Sequence, residues 1–109
     1  MTHNFTPWLV CLGYRKEHQR DFFIDVFCRL HKLSFTLTNP DAIDGGYRLE
    51  FRKGDAHVVA DRWMSFPVLG ETPGIAIHQD CEEWDCVFSA RTPIDIVTKA
   101  LNELAADEN

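Results

Sequence analysis

The fold of this chain is decided by residues 47–63, which read YRLEFRKGDAHVVADRW. Between Tyr47 and Lys53, apolar residues alternate with charged ones, as they do in a strand that buries one face. Residues 53–55, Lys-Gly-Asp, form a tight turn, and residues 57–63 have the composition of a second strand. We therefore predict a β-hairpin whose first strand directs three residues to one face: Tyr47, Leu49 and Phe51.

Other segments have strand patterns too. Trp8 to Leu12 is a short apolar run that predicts a buried strand, and Ser34 to Thr38 alternates apolar and hydroxyl residues. Ile75 to Gln79 and Trp84 to Ser89 predict a second hairpin. Between the two hairpins, prolines and glycines predict a loop around Val68 and Leu69. These breakers are Pro67, Gly70, Pro73 and Gly74.

Two segments have helical periodicity. Arg15 to Leu33 places one apolar face at helical spacing, made of Phe22, Phe23, Val26, Phe27, Leu30 and Leu33. The second helix begins at Thr92-Pro93, where the threonine hydroxyl can cap the first turn and proline suits the first helical position. Its buried stripe consists of Ile94, Val97, Ala100, Leu101 and Leu104.

This order of elements predicts an α+β fold. We expect a curled antiparallel sheet of about five to six strands, including the two hairpins, with two helices packed on one face. The 109 residues predict a single domain, 1–109. No apolar run is long enough to span a membrane, and the N-terminus lacks a signal-peptide pattern, so we expect a soluble, cytoplasmic protein.

The charge is unevenly distributed along the chain. The net charge is −6, but residues 1–54 balance to +2 and residues 55–109 to −8. An acidic half repels phosphate, which argues against direct nucleic-acid binding and favours a protein partner with a basic surface. The simpler interpretation is that the acidity only maintains solubility.

The most distinctive run is residues 80–86, which read DCEEWDC. Four carboxylates surround one tryptophan, and together they predict a partner-binding patch of Asp80, Glu82, Glu83, Trp84 and Asp85. The alternative is a solvated turn whose tryptophan points into the core. Residues 63–64 and 66–69 supply further large apolar groups near strand ends.

A metal site is a second interpretation of the same region. Three possible zinc ligands, His78, Cys81 and Cys86, lie within nine residues, and His57 on the neighbouring hairpin is a candidate fourth ligand. The spacing differs from that of zinc knuckles and ribbons, so coincidental strand residues are the simpler explanation. Calcium binding by the carboxylates lacks the glycine and the ligand spread of an EF-hand. We expect no cofactor.

Catalysis has little support in the sequence. The chain has no Gly-x-Ser-x-Gly nucleophile elbow, and no Gly-Lys-Ser/Thr follows its Gly45-Gly46 pair. His57 lies near Asp55 and Asp61, and a local carboxylate partner for a strand histidine is the simpler interpretation of that proximity. We therefore expect a protein that is not an enzyme.

A segment near the C-terminus resembles a known family. Residues 84–97, WDCVFSARTPIDIV, resemble the end of the SPDY-type domain of actinobacterial proteins, in which a Trp-led strand and Phe-Ser precede a Thr-Pro helix start. The similarity extends over residues 84–104. The function of that family is unknown, so the resemblance implies a bacterial or bacteriophage setting and carries over no catalytic residue.

These observations lead to one functional expectation. We predict a small acidic binding protein that occludes a basic, nucleic-acid-handling surface of a larger bacterial complex, as phage anti-CRISPR and toxin-immunity proteins do. The alternatives are a structural zinc domain using His78, Cys81 and Cys86, or an accessory module that dimerises through a sheet edge. The protein would accordingly be a monomer or a homodimer.

Overall fold

The computed structural model of the protein describes residues 3–12, 17–79 and 85–106, with side chains for 3–12, 19–79 and 86–105. Three α-helices, a short 3-10 helix and five strands make up this part of the chain. In order they are α1 (Thr6–Val10), α2 (Glu17–Lys32), β1 (Thr36–Leu37), the 3-10 helix (Pro40–Ile43), β2 (Arg48–Lys53), β3 (Ala56–Phe66), β4 (Gly70–Gln79), β5 (Asp85–Ser89) and α3 (Ile94–Ala106).

The predicted α+β class is confirmed. The five strands form one open antiparallel sheet in the order β1-β2-β3-β4-β5, so that neighbours in sequence are neighbours in space. The helices cover one face of this sheet, where a phenylalanine of α2, Phe27, lies 5.6 Å from the ring centroid of Phe51 on β2. None of the described helices is long and apolar enough to cross a lipid bilayer.

The hairpin predicted from residues 47–63 is confirmed. β2 and β3 pair from Arg48↔Asp61 to Lys53↔Ala56, and Leu49 and Phe51 are buried beneath the helices. Tyr47 lies one residue before the start of β2, and its side chain is 62% exposed.

The prediction of a strand over residues 8–12 is wrong. Residues 6–10 form α1, which has a proline in its first turn and the fully buried Trp8 on its inner side. The Asn4 side chain accepts a hydrogen bond from the Thr6 amide at 3.1 Å. A short apolar run has the same pattern in a buried strand and in one buried helical turn, so periodicity alone does not separate them.

The loop predicted around Val68 and Leu69 is much shorter than expected. β3 continues to Phe66 and β4 begins at Gly70, so only residues 67–69 connect them. The register shifts between Asp61 and Met64, which leaves two residues of β3 opposite Pro73. This β-bulge lets a proline that donates no amide hydrogen bond sit inside a strand, and the second half of the hairpin can continue beyond it.

The helices follow the predicted faces. In α2 the five predicted core residues from Phe22 to Leu30 are buried, and Leu33 packs against the core from just beyond the helix. In α3, Val97, Leu101 and Leu104 are buried. The opposite face of the sheet carries polar residues of β2, β3 and β4: Arg48, Glu50, Arg52, His57, Asp61 and His78. The core therefore lies between the helices and one side of the sheet.

Candidate functional site

The predicted partner-binding patch falls almost wholly outside the described residues. Four of its residues are not described: Asp80, Glu82, Glu83 and Trp84. Only the backbone of Asp85 is described, as the first residue of β5 opposite His78. Gln79 is the last residue of β4, and Asp85 is the first residue of β5. The β3–β4 turn is at the opposite end of β4, which begins at Gly70.

The proposed zinc ligands do not share a face of the sheet. His78 pairs with Asp85, whereas Cys86 pairs with Ile77, a fully buried residue on the helix side. Adjacent positions in a strand point to opposite faces, so the side chains of His78 and Cys86 diverge. Cys81 lies outside the described residues. Within the described ranges, no three His, Cys, Asp or Glu side chains are grouped so that they could hold a metal ion.

His57 is positioned by the sheet on the face away from the helices. Its Nε2 atom lies 3.8 Å from Oε1 of Glu50, a carboxylate on the adjacent strand β2. Asp61, one of the carboxylates predicted as a partner, is held by Arg48 instead. This contact is compatible with a structural histidine paired across two strands.

Three exposed apolar side chains lie on the β3–β4 hairpin, two of them in its turn and one, Trp63, at its bulge. Trp63 is 55% exposed, Val68 93% and Leu69 45%. We call these three residues the hairpin-tip surface. A tight turn normally carries glycine, proline or small polar residues, which can be exposed to water without a cost in free energy. Here the turn contains Val68 and Leu69, so it exposes apolar area to solvent.

The base of this hairpin is fixed by Asp61. Its Oδ2 atom accepts hydrogen bonds from the Nε and Nη2 atoms of Arg48, at 3.2 and 3.1 Å. Its Oδ1 atom accepts the Trp63 amide at 2.9 Å. Both oxygens of this buried carboxylate accept hydrogen bonds. They therefore hold the backbone of the bulge in place and fix the direction of the Trp63 side chain.

Arg62, the other bulge residue, points toward the helix side. Its guanidinium carbon lies 5.0 Å from the ring centroid of Tyr47 and 6.0 Å from that of Trp8. Its Nη2 atom donates to the carbonyl of Gly46 at 2.6 Å, and its amide donates to the carbonyl of Tyr47 at 3.1 Å. The arginine thus fastens the hairpin to α1 and to the start of β2.

Close backbone packing stiffens the hairpin further. A Cβ atom at Gly74 would lie 2.6 Å from the carbonyl oxygen of Phe88, 3.0 Å from Phe66 and 3.2 Å from the Met64 sulfur. Only glycine leaves room for these two side chains to pack there. At the turn, Gly70 has a φ of +72°, a conformation that glycine adopts without strain. The hairpin that carries the hairpin-tip surface is therefore held in one conformation by its hydrogen bonds and its packing.

Sequence reasoning found the tip residues but not their arrangement. Their apolar character was visible at residues 63–64 and 66–69, whereas the contact between Arg62, Tyr47 and Trp8 joins distant parts of the chain and leaves no local signal. The chain matches no protein family, no curated protein and no solved structure at a significant level. Its function is therefore argued from its own residues.

Proposed function

We propose that this protein is a small, acidic, non-catalytic binding module that inhibits a larger protein complex by covering a basic, nucleic-acid-handling surface. The observation that carries the proposal is the hairpin-tip surface, where Val68 is 93% exposed at the end of a braced hairpin. In this proposal the tip inserts into an apolar depression of the partner, and the net negative charge of the protein steers the approach.

Two observations favour the apolar part of the contact: the residue types present and the rigid hairpin that carries them. Tryptophan is enriched among residues that dominate binding energy, because it brings a large contact area at low cost in conformational entropy. Trp63, Val68 and Leu69 lie within one hairpin whose base is held by Asp61 and Arg62. A preformed hairpin loses little conformational freedom when a partner binds.

The charged part of the contact is supported by the net charge of −6, with −8 concentrated in residues 55–109. Such a field accelerates association with a basic surface and makes the association rate sensitive to salt. In this proposal the acidic run Asp80, Glu82, Glu83 and Asp85 adds to the steering, with Trp84 as a second anchor. The SPDY-type resemblance and a cytoplasmic, bacterial or phage-infected setting belong to the same proposal.

The test compares three variants in a tagged pull-down from nuclease-treated bacterial lysate. The tip variant carries Trp63→Ser, Val68→Ser and Leu69→Ser. The charge variant carries Lys at positions 80, 82, 83 and 85. The matched control carries Ile96→Ser, which removes an apolar side chain that is 52% exposed on α3, away from the hairpin. Circular dichroism establishes that each variant is folded.

We expect the wild type and the control to retain one partner and the tip variant to lose it. Loss of an anchor cluster weakens binding by about 2–4 kcal/mol or more, which is enough to abolish capture. The charge variant should associate more slowly, with a weaker dependence on salt. If the folded tip variant and the folded charge variant both capture the partner as the wild type does, the proposal is wrong.

A further inference from the structure

A second surface of the molecule is concave and lies apart from the hairpin tip. A cleft of about 540 Å³ opens between the N-terminal segment, α1, α2 and the β1–β2 edge of the sheet. This volume is within the range of about 300–1,000 Å³ that is typical of small-molecule sites. Its interior is lined chiefly by six apolar residues: Phe5, Leu9, Phe27, Phe35, Leu37 and Phe51.

The aromatic walls of the cleft support one another. The ring of Phe5 stacks on that of Phe27 with centroids 4.3 Å apart, and lies 6.1 Å from that of Phe51. Phe27 and Phe51 are also in contact with each other and are buried in the core. These walls therefore belong to the hydrophobic core itself.

The mouth of the cleft carries one lysine and two histidines. Lys32 and His31, in the last turn of α2, lie there together with His3. Among the described residues that line the cleft, none is Asp or Glu, although the protein as a whole has a net charge of −6. The carbonyls of Leu30 and His31 at this helix end are already engaged by the amides of Phe35 and Ser34.

An apolar interior with one ammonium group, that of Lys32, at its mouth is complementary to one kind of small molecule. Burial of an alkyl chain among phenylalanines gains about 0.8 kcal/mol for each methylene removed from water. A carboxylate at the mouth accepts charge-assisted hydrogen bonds from an ammonium group such as that of Lys32. We propose that this cleft binds a medium-chain fatty carboxylate, with its tail against Phe27, Phe35 and Phe51 and its head at Lys32.

The test is calorimetric titration of the full-length protein with dodecanoate below its micelle concentration. Dodecanol, which has the same tail without the charge, is the second ligand. The rim variant is Lys32→Glu, and its matched control is Lys99→Glu, an exposed lysine on α3 that does not line the cleft. A third variant, Cys28→Trp, places a large side chain at an exposed lining position and fills the entrance without altering the core.

We expect one equivalent of dodecanoate to bind wild type and Lys99→Glu with the same affinity. Lys32→Glu should weaken dodecanoate binding by about tenfold or more, because it removes a charge-assisted hydrogen bond. The same variant should leave dodecanol binding unchanged, and Cys28→Trp should weaken both ligands. The proposal is overturned if wild type shows no saturable binding, if several equivalents bind, or if Lys32→Glu and Lys99→Glu weaken dodecanoate equally.

Discussion

At the scale of single residues, Ser34 has an unusual backbone conformation with a clear cause. It has a φ of 68°, in the left-handed region, two residues after the end of α2. The Phe35 amide bonds to the carbonyl of Leu30 at 2.9 Å, and the Ser34 amide bonds to that of His31 at 3.1 Å. This is the hydrogen-bond pattern of a Schellman motif, in which glycine normally occupies the position that serine occupies here.

Ser34→Gly should therefore stabilise the protein. Glycine adopts a positive φ without steric cost, whereas the Cβ of another residue costs roughly 1 kcal/mol there. We expect the free energy of unfolding in urea to rise by about 0.5–1 kcal/mol. Ser34→Ala is the control, because alanine keeps the strained Cβ, and it should give no increase. An equal gain for both variants would contradict this explanation.

Cys86 makes a pH-dependent contribution. Burial raises the pKa of its thiol above the usual value of 9.0, because the thiolate is poorly solvated beside the core. The unfolded chain therefore ionises first. The stabilising contribution is fully present below the pKa of the unfolded thiol, and it is lost as the pH rises through the pKa of the folded protein.

The alkaline loss of stability should accordingly be smaller in Cys86→Ala. We would measure the free energy of unfolding in urea between pH 7 and about pH 10.5 and compare the slopes. Cys28→Ala, at an exposed position on α2, is the matched control and should keep the wild-type slope. If removal of Cys86 leaves the alkaline slope unchanged, its thiol does not contribute to it.

At the scale of elements, the β3–β4 hairpin is determined by its bulge. Two residues of β3, Arg62 and Trp63, lie opposite Pro73 and are sent to different sides of the hairpin. Arg62 contacts Trp8 and Tyr47, while Trp63 faces solvent. The bulge thus has two effects: it attaches the hairpin to Trp8 and Tyr47 through Arg62, and it exposes Trp63 to solvent.

Asp61→Ala should loosen this hairpin. It removes the acceptor of the Trp63 amide and leaves Arg48 without its carboxylate, so we expect the free energy of unfolding to fall by about 2–3 kcal/mol. Asp61→Asn keeps an oxygen for the amide and should lose less. The control, Asp21→Ala at an exposed position on α2, should stay within about 0.5 kcal/mol. Urea unfolding distinguishes these outcomes, and equal losses for Asp61→Ala and Asp21→Ala would contradict the role of Asp61.

At the scale of the whole molecule, α1 joins the two layers. Trp8 is fully buried, with its ring 5.0 Å from that of Phe23 and 5.6 Å from that of Phe27 on α2. On another side it meets Arg62 of the sheet. One turn of helix therefore connects α2 to the base of the β3–β4 hairpin and forms a wall of the apolar cleft.

Trp8→Ala should be the more damaging of two tryptophan substitutions. Truncating a buried aromatic side chain costs about 3–5 kcal/mol, from lost burial and from the cavity left behind. Trp63→Ala is the matched control, and because Trp63 is exposed it should cost about 1 kcal/mol or less. Thermal unfolding followed by far-UV circular dichroism measures both. A Trp8→Ala protein as stable as Trp63→Ala would show that α1 is not part of the core.

The α+β class, the β2–β3 hairpin and both long helices could be predicted from the sequence, because a periodic pattern within each segment specifies each of them. The helical conformation of residues 6–10 could not be predicted in this way, because the conformation of so short an apolar run depends on the residues that pack against it. The same holds for the bulge opposite Pro73 and for the cleft beside Phe5, Phe27 and Phe51. These features depend on contacts between residues far apart in the chain, and local periodicity carries no record of such contacts.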